Sequence, residues 1–230
     1  MLTLGQRLWP TLAGLGFAAF PLLRPYGDKT GDAADAAAAF ADPSWVASHG
    51  VCMIAFIALA LALRARGARR SELGAWVGTG LLLPFYGAET FGLHAIGTHA
   101  TISGADDLWQ LADGVRNQPV ALACFALGLL ALAAVGVGVA VSSWRSGAVT
   151  RIAAIIVAAG LVTYLPQYFL PETGRVIHGV ALGIGLLLLA AAPARAARTP
   201  SPAPEAIPRP IGPEVGENGP NRTVERTNHG

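Results

Sequence analysis

The stretch ALACFALGLLALAAVGVGVAV, residues 121–141, contains no charged side chain. The charge-free interval around it extends from Arg116 to Arg145, and a second one extends from Arg151 to Glu172. A helix needs about 20 consecutive apolar residues to cross the hydrocarbon core of a bilayer. Of all 230 residues, 13% are charged, whereas soluble domains carry roughly 25%. The sequence therefore predicts an integral membrane protein.

Other apolar stretches lie on both sides of residues 121–141, for instance VCMIAFIALALAL at 51–63. Together they predict an all-α fold, a polytopic membrane helix bundle with about six transmembrane helices within residues 1–195. The first span is short and contains two prolines. A signal peptide is therefore the alternative for it, although no small-residue cleavage site follows. The predicted spans are 8–23, 45–63, 73–97, 119–141, 151–170 and 175–193.

The basic residues predict the orientation, because cytoplasmic loops of membrane proteins carry an excess of Lys and Arg. One side of the six-span arrangement has Arg7, Arg64, Arg66, Arg69, Arg70, Arg145, Arg151, Arg195 and Arg198. The opposite side has Arg24, Lys29, Arg116 and Arg175, together with most of the acidic residues. We expect both termini in the cytoplasm and a location in the bacterial plasma (inner) membrane.

The last 35 residues, 196–230, differ in composition from the rest of the chain. The segment TPSPAPEAIPRPIGPEVGENGPNRTVERTNHG is rich in Pro, Gly and charge and poor in large apolar side chains. Such a composition cannot bury enough apolar surface to fold. It predicts a disordered, Pro/Gly-rich cytoplasmic tail that a protein partner could recognise. No basic stripe in the chain indicates nucleic acid binding, and the partner that composition does indicate is the lipid bilayer.

The two longer outer loops are predicted to form short helices. In the first loop, Asp32 is expected to cap an alanine-rich helix. In the second, Ser103 and Asp106 form an S-x-x-D capping pattern, and an amphipathic helix is expected to follow at the membrane interface.

Apart from boundary arginines and Glu72, the ionisable residues of the spans lie in the outer half. A charged group at the centre of a span costs roughly 2.5–3.5 kcal/mol, so an intramembrane carboxylate such as Glu89 indicates a functional site. At about 1.5 Å per residue, three histidines, a tyrosine and a glutamine reach a similar depth. The candidate ligand-binding cluster is His49, Tyr86, Glu89, His94, Gln167 and His178. At about 100° per residue, Glu89 and His94 face different neighbouring helices.

Two of these histidines share a local pattern. Span two begins WVASHGVCMI and span six begins GRVIHGVALGI, so both place His-Gly-Val at the outer end of an inward-running helix. Imidazoles are common ligands of metal ions and of haem iron. His49 and His178, with Glu89 as a further ligand, are therefore the candidate metal or haem ligands. The alternative for each histidine is a simple hydrogen bond to water, a lipid headgroup or a carbonyl. Glycine after each histidine predicts close approach of a neighbouring helix.

The segments PSWVASHGV, LLPFYGAETFGLHAIG and LPQYFLPETGRVIHGV, with the charge-free fourth span, resemble a group of multi-pass integral membrane proteins of GC-rich bacteria. The resemblance covers about residues 8–193. No activity is assigned to that group. The resemblance implies a bacterial plasma-membrane location and no particular mechanism.

Three functional hypotheses follow from these observations. The first is a scaffold or accessory subunit whose polar cluster fastens helices together. The second is a metal- or haem-binding protein that uses His49 and His178. The third is a proton- or cation-coupled transporter that uses Glu89. The sequence lacks the phosphate-loop, zincin and nucleophile-elbow motifs, and it leaves enzymatic activity undecided. It also leaves open whether Cys52 and Cys124 form a disulfide.

Overall fold

The computed structural model describes residues 2–192, and within that range the chain forms helices and turns without a strand. The predicted tail at 196–230 lies outside the described residues. The α-helices are α1 (Leu4–Leu23), α2 (Ala33–Ala41), α3 (Pro43–Ala65), α4 (Arg69–Gly87), α5 (Leu93–Ser103), α6 (Leu108–Arg116), α7 (Pro119–Ser143), α8 (Ala148–Val162) and α9 (Glu172–Ala191). A π-helical turn, Ala88–Gly92, joins α4 to α5. Short 3₁₀ turns occur at Gly27–Lys29 and Pro166–Phe169.

The six longer helices pack in a closed ring. Along the chain, α1 contacts α3, α3 contacts α4, α4 contacts α7, α7 contacts α8 and α8 contacts α9, and α9 returns to pack against α1. Their shared core contains large, fully buried side chains, among them Phe17, Phe56, Leu59, Leu132, Leu161 and Leu182. The short helices α2, α5 and α6 contact one another. They have a second apolar core that includes Phe40, Trp45 and Leu93, and this core covers one end of the ring.

Within residues 2–192, three helices, α3, α7 and α9, are long and apolar enough to cross a membrane. Helix α8 is apolar but has only 15 residues, which gives about 22 Å at 1.5 Å per residue against a hydrocarbon core of about 30 Å. The span predicted at 151–170 is therefore longer than the helix observed. The helix ends at Val162, and the segment that follows contains Pro166 and Pro171, which lack the N–H that a continuing helix needs.

Local capping signals define several helix starts. The Asp32 carboxylate accepts hydrogen bonds from the N–H groups of Ala34 and Asp35, which confirms the predicted cap of α2. The amphipathic helix predicted in the second loop is present as α6, but its predicted cap is wrong, because α6 begins at Leu108 without a side-chain cap and Ser103 is instead the last residue of α5. Gly104 follows Ser103 with a φ of 99°, a conformation that ends a helix readily only when the residue is glycine.

One of the two His-Gly pairs allows the close helix approach that the sequence predicted. A Cβ on Gly179 would lie 2.6 Å from Pro21 Cγ and 2.7 Å from the Phe17 carbonyl oxygen, so α9 and α1 approach too closely for any side chain there. A Cβ on Gly50 would meet nothing within 4 Å. The prediction is therefore confirmed at Gly179 and wrong at Gly50.

Candidate ligand-binding cavity

A cavity of about 360 Å³ opens at the end of the ring that α2, α5 and α6 cover. We name this end the Arg24 end, because Arg24 follows the last residue of α1 there. Helices α3, α7 and α9 begin at this end, and α4 finishes at it. The cavity is lined by charged and aromatic side chains, which include Arg24, Lys29, His49, Tyr86, Glu89, Arg116, Tyr168 and Arg175.

A buried ion pair lies beside the cavity. Arg24 Nη2 donates hydrogen bonds of 2.9 and 2.8 Å to the two carboxylate oxygens of Asp28. The side chains of Arg24 and Asp28 are 4% and 0% exposed. The Arg24 guanidinium also stacks on aromatic rings, with its Cζ 4.9 Å from the Tyr26 ring centre and 4.8 Å from that of Trp45. These contacts replace the water that both charged groups lose on burial.

Arg116, the last residue of α6, joins this pair to Glu89. Its Nη2 lies 3.2 Å from Asp28 Oδ2 and 3.0 Å from Glu89 Oε1, and its Nε donates to Glu89 Oε1 at 3.1 Å. The guanidinium Cζ lies 5.3 Å from the Phe40 ring centre. Charge-assisted hydrogen bonds of this kind are about twice as strong as neutral ones. The network fixes α6 over the cavity mouth and provides the Glu89 carboxylate with a counter-ion.

The pKa values of Asp28 and Lys29, in the 3₁₀ turn Gly27–Lys29, are shifted by burial and by these neighbouring charges. Burial favours the neutral form of Asp28, but the Arg24 guanidinium, with Lys29 and Arg116, outweighs it and lowers the pKa of the carboxyl. Burial is also the largest influence on Lys29, and it lowers the pKa of that amine although Asp28 opposes the shift. Asp28 is therefore ionised at neutral pH and holds the cluster together.

Glu89 lies in the π-helical turn that follows Pro84. Its backbone carbonyl accepts a 3.3 Å hydrogen bond from Trp45 Nε1, and Thr90 Oγ1 donates to the Tyr86 carbonyl at 2.5 Å. These two bonds add side-chain partners to carbonyls in or just before a turn whose hydrogen bonds depart from the regular α-helical ladder. The turn rotates the Glu89 side chain toward Arg116.

His49 also lines this cavity and is 2% exposed. Its Nδ1 lies 2.7 Å from the Trp45 carbonyl oxygen. Because a carbonyl can only accept, Nδ1 carries the proton and the lone pair of a neutral ring is on Nε2. The ring packs between Trp45, at 4.4 Å between ring centres, and Phe20, at 5.1 Å.

The remaining predicted residues lie elsewhere. His94 donates from Nδ1 to the Phe40 carbonyl at 2.8 Å, so Glu89 and His94 have different partners. His178 and Gln167 line an adjacent, narrow crevice of about 10 Å³ beside Pro21, which shares Phe20, Arg24 and Arg175 with the larger cavity. His178 Nε2 donates to the Gly160 carbonyl at 2.9 Å.

Tyr86 and Tyr168 line the cavity, and with Tyr164 and the Cys52 thiol behind them they form a layer that we name the tyrosine floor. The hydroxyls of Tyr86 and Tyr168 are hydrogen bonded, and the Tyr86 hydroxyl lies 3.4 Å from that of Tyr164. Cys52 Sγ lies 3.2 Å from the Tyr164 hydroxyl. Cys52 and Cys124 are both free thiols, which answers the disulfide question left open by the sequence.

The predicted metal or haem ligands are not gathered around one point. His49 lines the large cavity, His178 lines the crevice, and Glu89 is paired with Arg116. Within residues 2–192, no group of three or more His, Cys, Asp or Glu side chains is placed to hold a metal ion. The metal or haem hypothesis stays a prediction.

Sequence reasoning missed the cationic part of this site. The four basic residues that it placed in the outer loops all line the same cavity, namely Arg24, Lys29, Arg116 and Arg175. One local signal was present, the i,i+4 spacing of Arg24 and Asp28, which is typical of ion pairs on helices. No local signal connects Arg116 with Glu89, which is 27 residues away.

No family model, curated protein or solved structure matches this chain. The chemistry of the site is therefore inferred from its own geometry.

Proposed function

We propose that this protein is a six-span protein of the bacterial plasma membrane, with both termini in the cytoplasm and the Arg24 end facing outward. The closed ring of six helices supports this proposal, because three of them are long and apolar enough to cross a membrane. The excess of basic residues at the opposite end supports the orientation. Large apolar side chains are exposed on the ring helices, as lipid contact requires; examples are Leu15, Ile54, Val77, Leu130, Ile155 and Ile184.

We further propose that the cavity at the Arg24 end binds a small organic anion with an apolar body. The observation that carries the proposal is the charge balance of the cavity. Among the residues that the structure describes, four cationic side chains line it, against one carboxylate, Glu89. Asp28 lies behind the lining and is a second carboxylate paired with these cations. Four positive charges against two negative charges leave a surplus of positive charge. A carboxylate or phosphate in the cavity would neutralise this surplus, and arginine guanidinium groups match the geometry of both anions.

The apolar body of the ligand is inferred from the aromatic part of the lining. Phe85 and Phe125 stack with their ring centres 4.3 Å apart, and both line the cavity. Phe20 and Phe169 line it as well. Pockets that combine apolar walls with a few well-placed charged groups are typical of sites for small organic ligands.

The shape of the site supports retention of a ligand more than its transport. Below the tyrosine floor, the core is filled by fully buried side chains such as Phe56, Leu59 and Leu132. A conduit would continue polar groups toward the other end. Transport of a proton or cation through Glu89 has less support, because Glu89 is paired with Arg116 and the surplus of positive charge repels cations.

A scaffold or accessory subunit is the second candidate. The hydrogen-bonded chain from Arg24 through Asp28 and Arg116 to Glu89 supports it, because this chain ties the end of α1, the π-helical turn and α6 together. The tail that was predicted to recruit a partner lies outside the described residues.

Ligand binding is tested with dodecanoate and dodecanol, which differ mainly in charge, on the full chain in phosphatidylcholine nanodiscs. Titration calorimetry gives the affinity of each. We expect dodecanoate to bind at least tenfold more tightly. Lys29→Gln and Arg116→Gln should each weaken dodecanoate binding about tenfold, since a hydrogen bond to a charged group contributes about 1.5–3 kcal/mol.

Arg151→Gln is the matched control, because Arg151 is exposed on α8 and does not line the cavity. It should bind as the wild type does. Lys29→Gln keeps the test decisive if Arg116→Gln does not fold, because the Lys29 side chain is 48% exposed and makes only a 3.7 Å ion pair. Equal binding of dodecanoate and dodecanol, or no binding of either, would refute the proposed anion site and leave the scaffold function.

A further inference from the structure

A second cavity, of about 220 Å³, lies at the opposite end of the ring. We name it the Arg66 cavity. It forms where α3 and α7 end and α8 begins. Its polar lining consists of Arg66, Ser142, Ser143, Ser146 and Thr150. It shares no lining residue with the cavity at the Arg24 end, so an inference about it does not depend on the proposed ligand there.

The Arg66 guanidinium is only partly satisfied within the protein. Its Nη2 donates a 3.2 Å hydrogen bond to the Ala192 carbonyl. Its Nη1 is the buried side-chain nitrogen that, within residues 2–192, has no hydrogen-bond partner. A buried donor without a partner loses the hydrogen bonds that it makes to water in the unfolded chain, and the loss is larger for a charged group. A ligand that accepts a hydrogen bond from Nη1 would remove this cost.

The Arg66 guanidinium also lacks a counter-ion in the cavity lining. No acidic side chain of residues 2–192 lines the Arg66 cavity. Glu72, in the first turn of α4, lies 4.0 Å from Arg64 and lines a different pocket. Burial lowers the pKa of Arg66 from its ordinary value, and the group stays charged at neutral pH. The charge in this cavity is therefore positive and uncompensated by neighbouring residues of the lining.

Hydroxyl groups line the same cavity as the guanidinium. Ser143, Ser146 and Thr150 are partly buried and line the cavity with it. A hydroxyl can donate one hydrogen bond to an anionic oxygen. Thr150 lies in the first turn of α8, which has no side-chain cap, so unpaired backbone N–H groups add partial positive charge nearby. One guanidinium with several hydroxyl donors is a donor set that suits a phosphate group, whose oxygens accept several hydrogen bonds at once.

Besides Arg66 and the hydroxyl groups, the lining of the Arg66 cavity has an apolar part. Leu63, Val139 and Leu189 form one wall of the cavity. A phosphate group with a hydrocarbon neighbour, as in a phospholipid headgroup, would therefore contact both parts. Free phosphate would use the polar part alone.

We propose that the Arg66 cavity binds a phosphate group, supplied either by an anionic phospholipid headgroup or by a soluble phosphate. Arg66 donates from Nη1 to a phosphate oxygen, and the hydroxyls of Ser143, Ser146 and Thr150 donate to the others. In the orientation proposed above, the site faces the cytoplasmic leaflet, where anionic lipids attract basic groups.

The experiment uses the full chain with two arms that separate the two sources. In the first arm, inorganic phosphate is titrated into protein in dodecyl maltoside micelles, whose headgroups carry no phosphate, against sodium chloride at the same ionic strength. In the second, phosphatidylglycerol is added to the same micelles at increasing fractions, with no free phosphate. The thermal midpoint of unfolding is the readout in both, because a ligand that binds only the native state raises it.

We expect a saturable rise of the midpoint in at least one arm. A rise with phosphatidylglycerol alone identifies a lipid headgroup as the source, and a rise with phosphate alone identifies a soluble one. Arg66→Gln should weaken binding at least tenfold. The double variant Ser146→Ala with Thr150→Val should weaken it about tenfold while keeping Arg66, so a folding defect of Arg66→Gln would leave the test intact.

Arg145→Gln is the matched control, because Arg145 is an exposed arginine one residue from Ser146 and does not line the cavity. It should retain wild-type binding. No saturable effect in either arm would overturn the proposal, and so would equal binding by the wild type and the double variant.

Discussion

Removing the charge of Asp28 should destabilise the Arg24 end of the bundle strongly. Asp28→Asn keeps the shape of the side chain but leaves the Arg24 guanidinium, whose side chain is 4% exposed, without its counter-ion. Breaking a buried ion pair by removing one partner costs about 3–5 kcal/mol. At about 2–4 °C per kcal/mol for a chain of this length, the midpoint of thermal unfolding should fall by about 6–20 °C.

The assay is thermal unfolding in detergent micelles, followed by tryptophan fluorescence, because the Arg24 guanidinium lies 4.8 Å from the Trp45 ring centre. Asp35→Asn is the control. Asp35 is exposed in α2, and substitution at such a surface position should change stability by no more than about 0.5 kcal/mol. Replacing both partners, Arg24→Met with Asp28→Leu, should recover the stability, because apolar pairs often replace buried ion pairs without loss.

The same network predicts a pH dependence. Because the pKa of folded Asp28 lies below its ordinary value of 3.8, ionised Asp28 stabilises the fold fully above pH 3.8. This contribution is lost as the pH falls through the folded-state pKa. The unfolding midpoints of wild type and Asp28→Asn should therefore converge as the pH is lowered below 3.8. Equal stability of Asp28→Asn and Asp35→Asn at pH 7 would refute the reasoning.

Two further predictions concern the helix packing and the thiols. Gly179→Ala should lower the unfolding midpoint, because its Cβ would lie 2.7 Å from a backbone carbonyl of α1 and overpacking costs about 1–3 kcal/mol. Gly50→Ala, with open space around its Cβ, should raise stability by up to about 1 kcal/mol. A larger loss of stability in Gly50→Ala than in Gly179→Ala would contradict the close packing of α1 and α9. In native protein, Cys124 should react with a membrane-permeant maleimide, whereas Cys52, which is 0% exposed, should not. Mass spectrometry of the labelled peptides measures the reaction of each thiol. Prompt labelling of Cys52 would contradict the prediction and show that the tyrosine floor opens.

Part of the site was predictable because its signals are local. The spacing of polar residues along the spans placed His49, Tyr86 and Glu89 at one level, and all three line the same cavity. Helical rotation separated Glu89 from His94, which have different hydrogen-bond partners. These inferences need only the rise and the angle per residue of a helix.

The rest of the site depends on contacts between distant parts of the chain. Arg116 reaches Asp28, 88 residues away, because α6 folds back over the π-helical turn. The same depth estimate placed His178 beside His49, yet the two histidines line different cavities. Depth along a helix axis does not determine which neighbouring helix a side chain faces, and that choice is made by packing.

By itself, the sequence determined the helical class, the charge-free stretch within α7 and the start of α2, because hydrophobic length and capping act within a few residues. Only the tertiary structure decided that α9 closes the ring against α1 and that basic residues from several separate segments line one cavity. It also ended the fifth predicted span early, because α8 stops at Val162. It left Arg66 Nη1 buried without a hydrogen-bond partner in residues 2–192. The physical reason is that ring closure and charge pairing depend on distances between residues far apart in the chain, and local propensity carries no information about those distances.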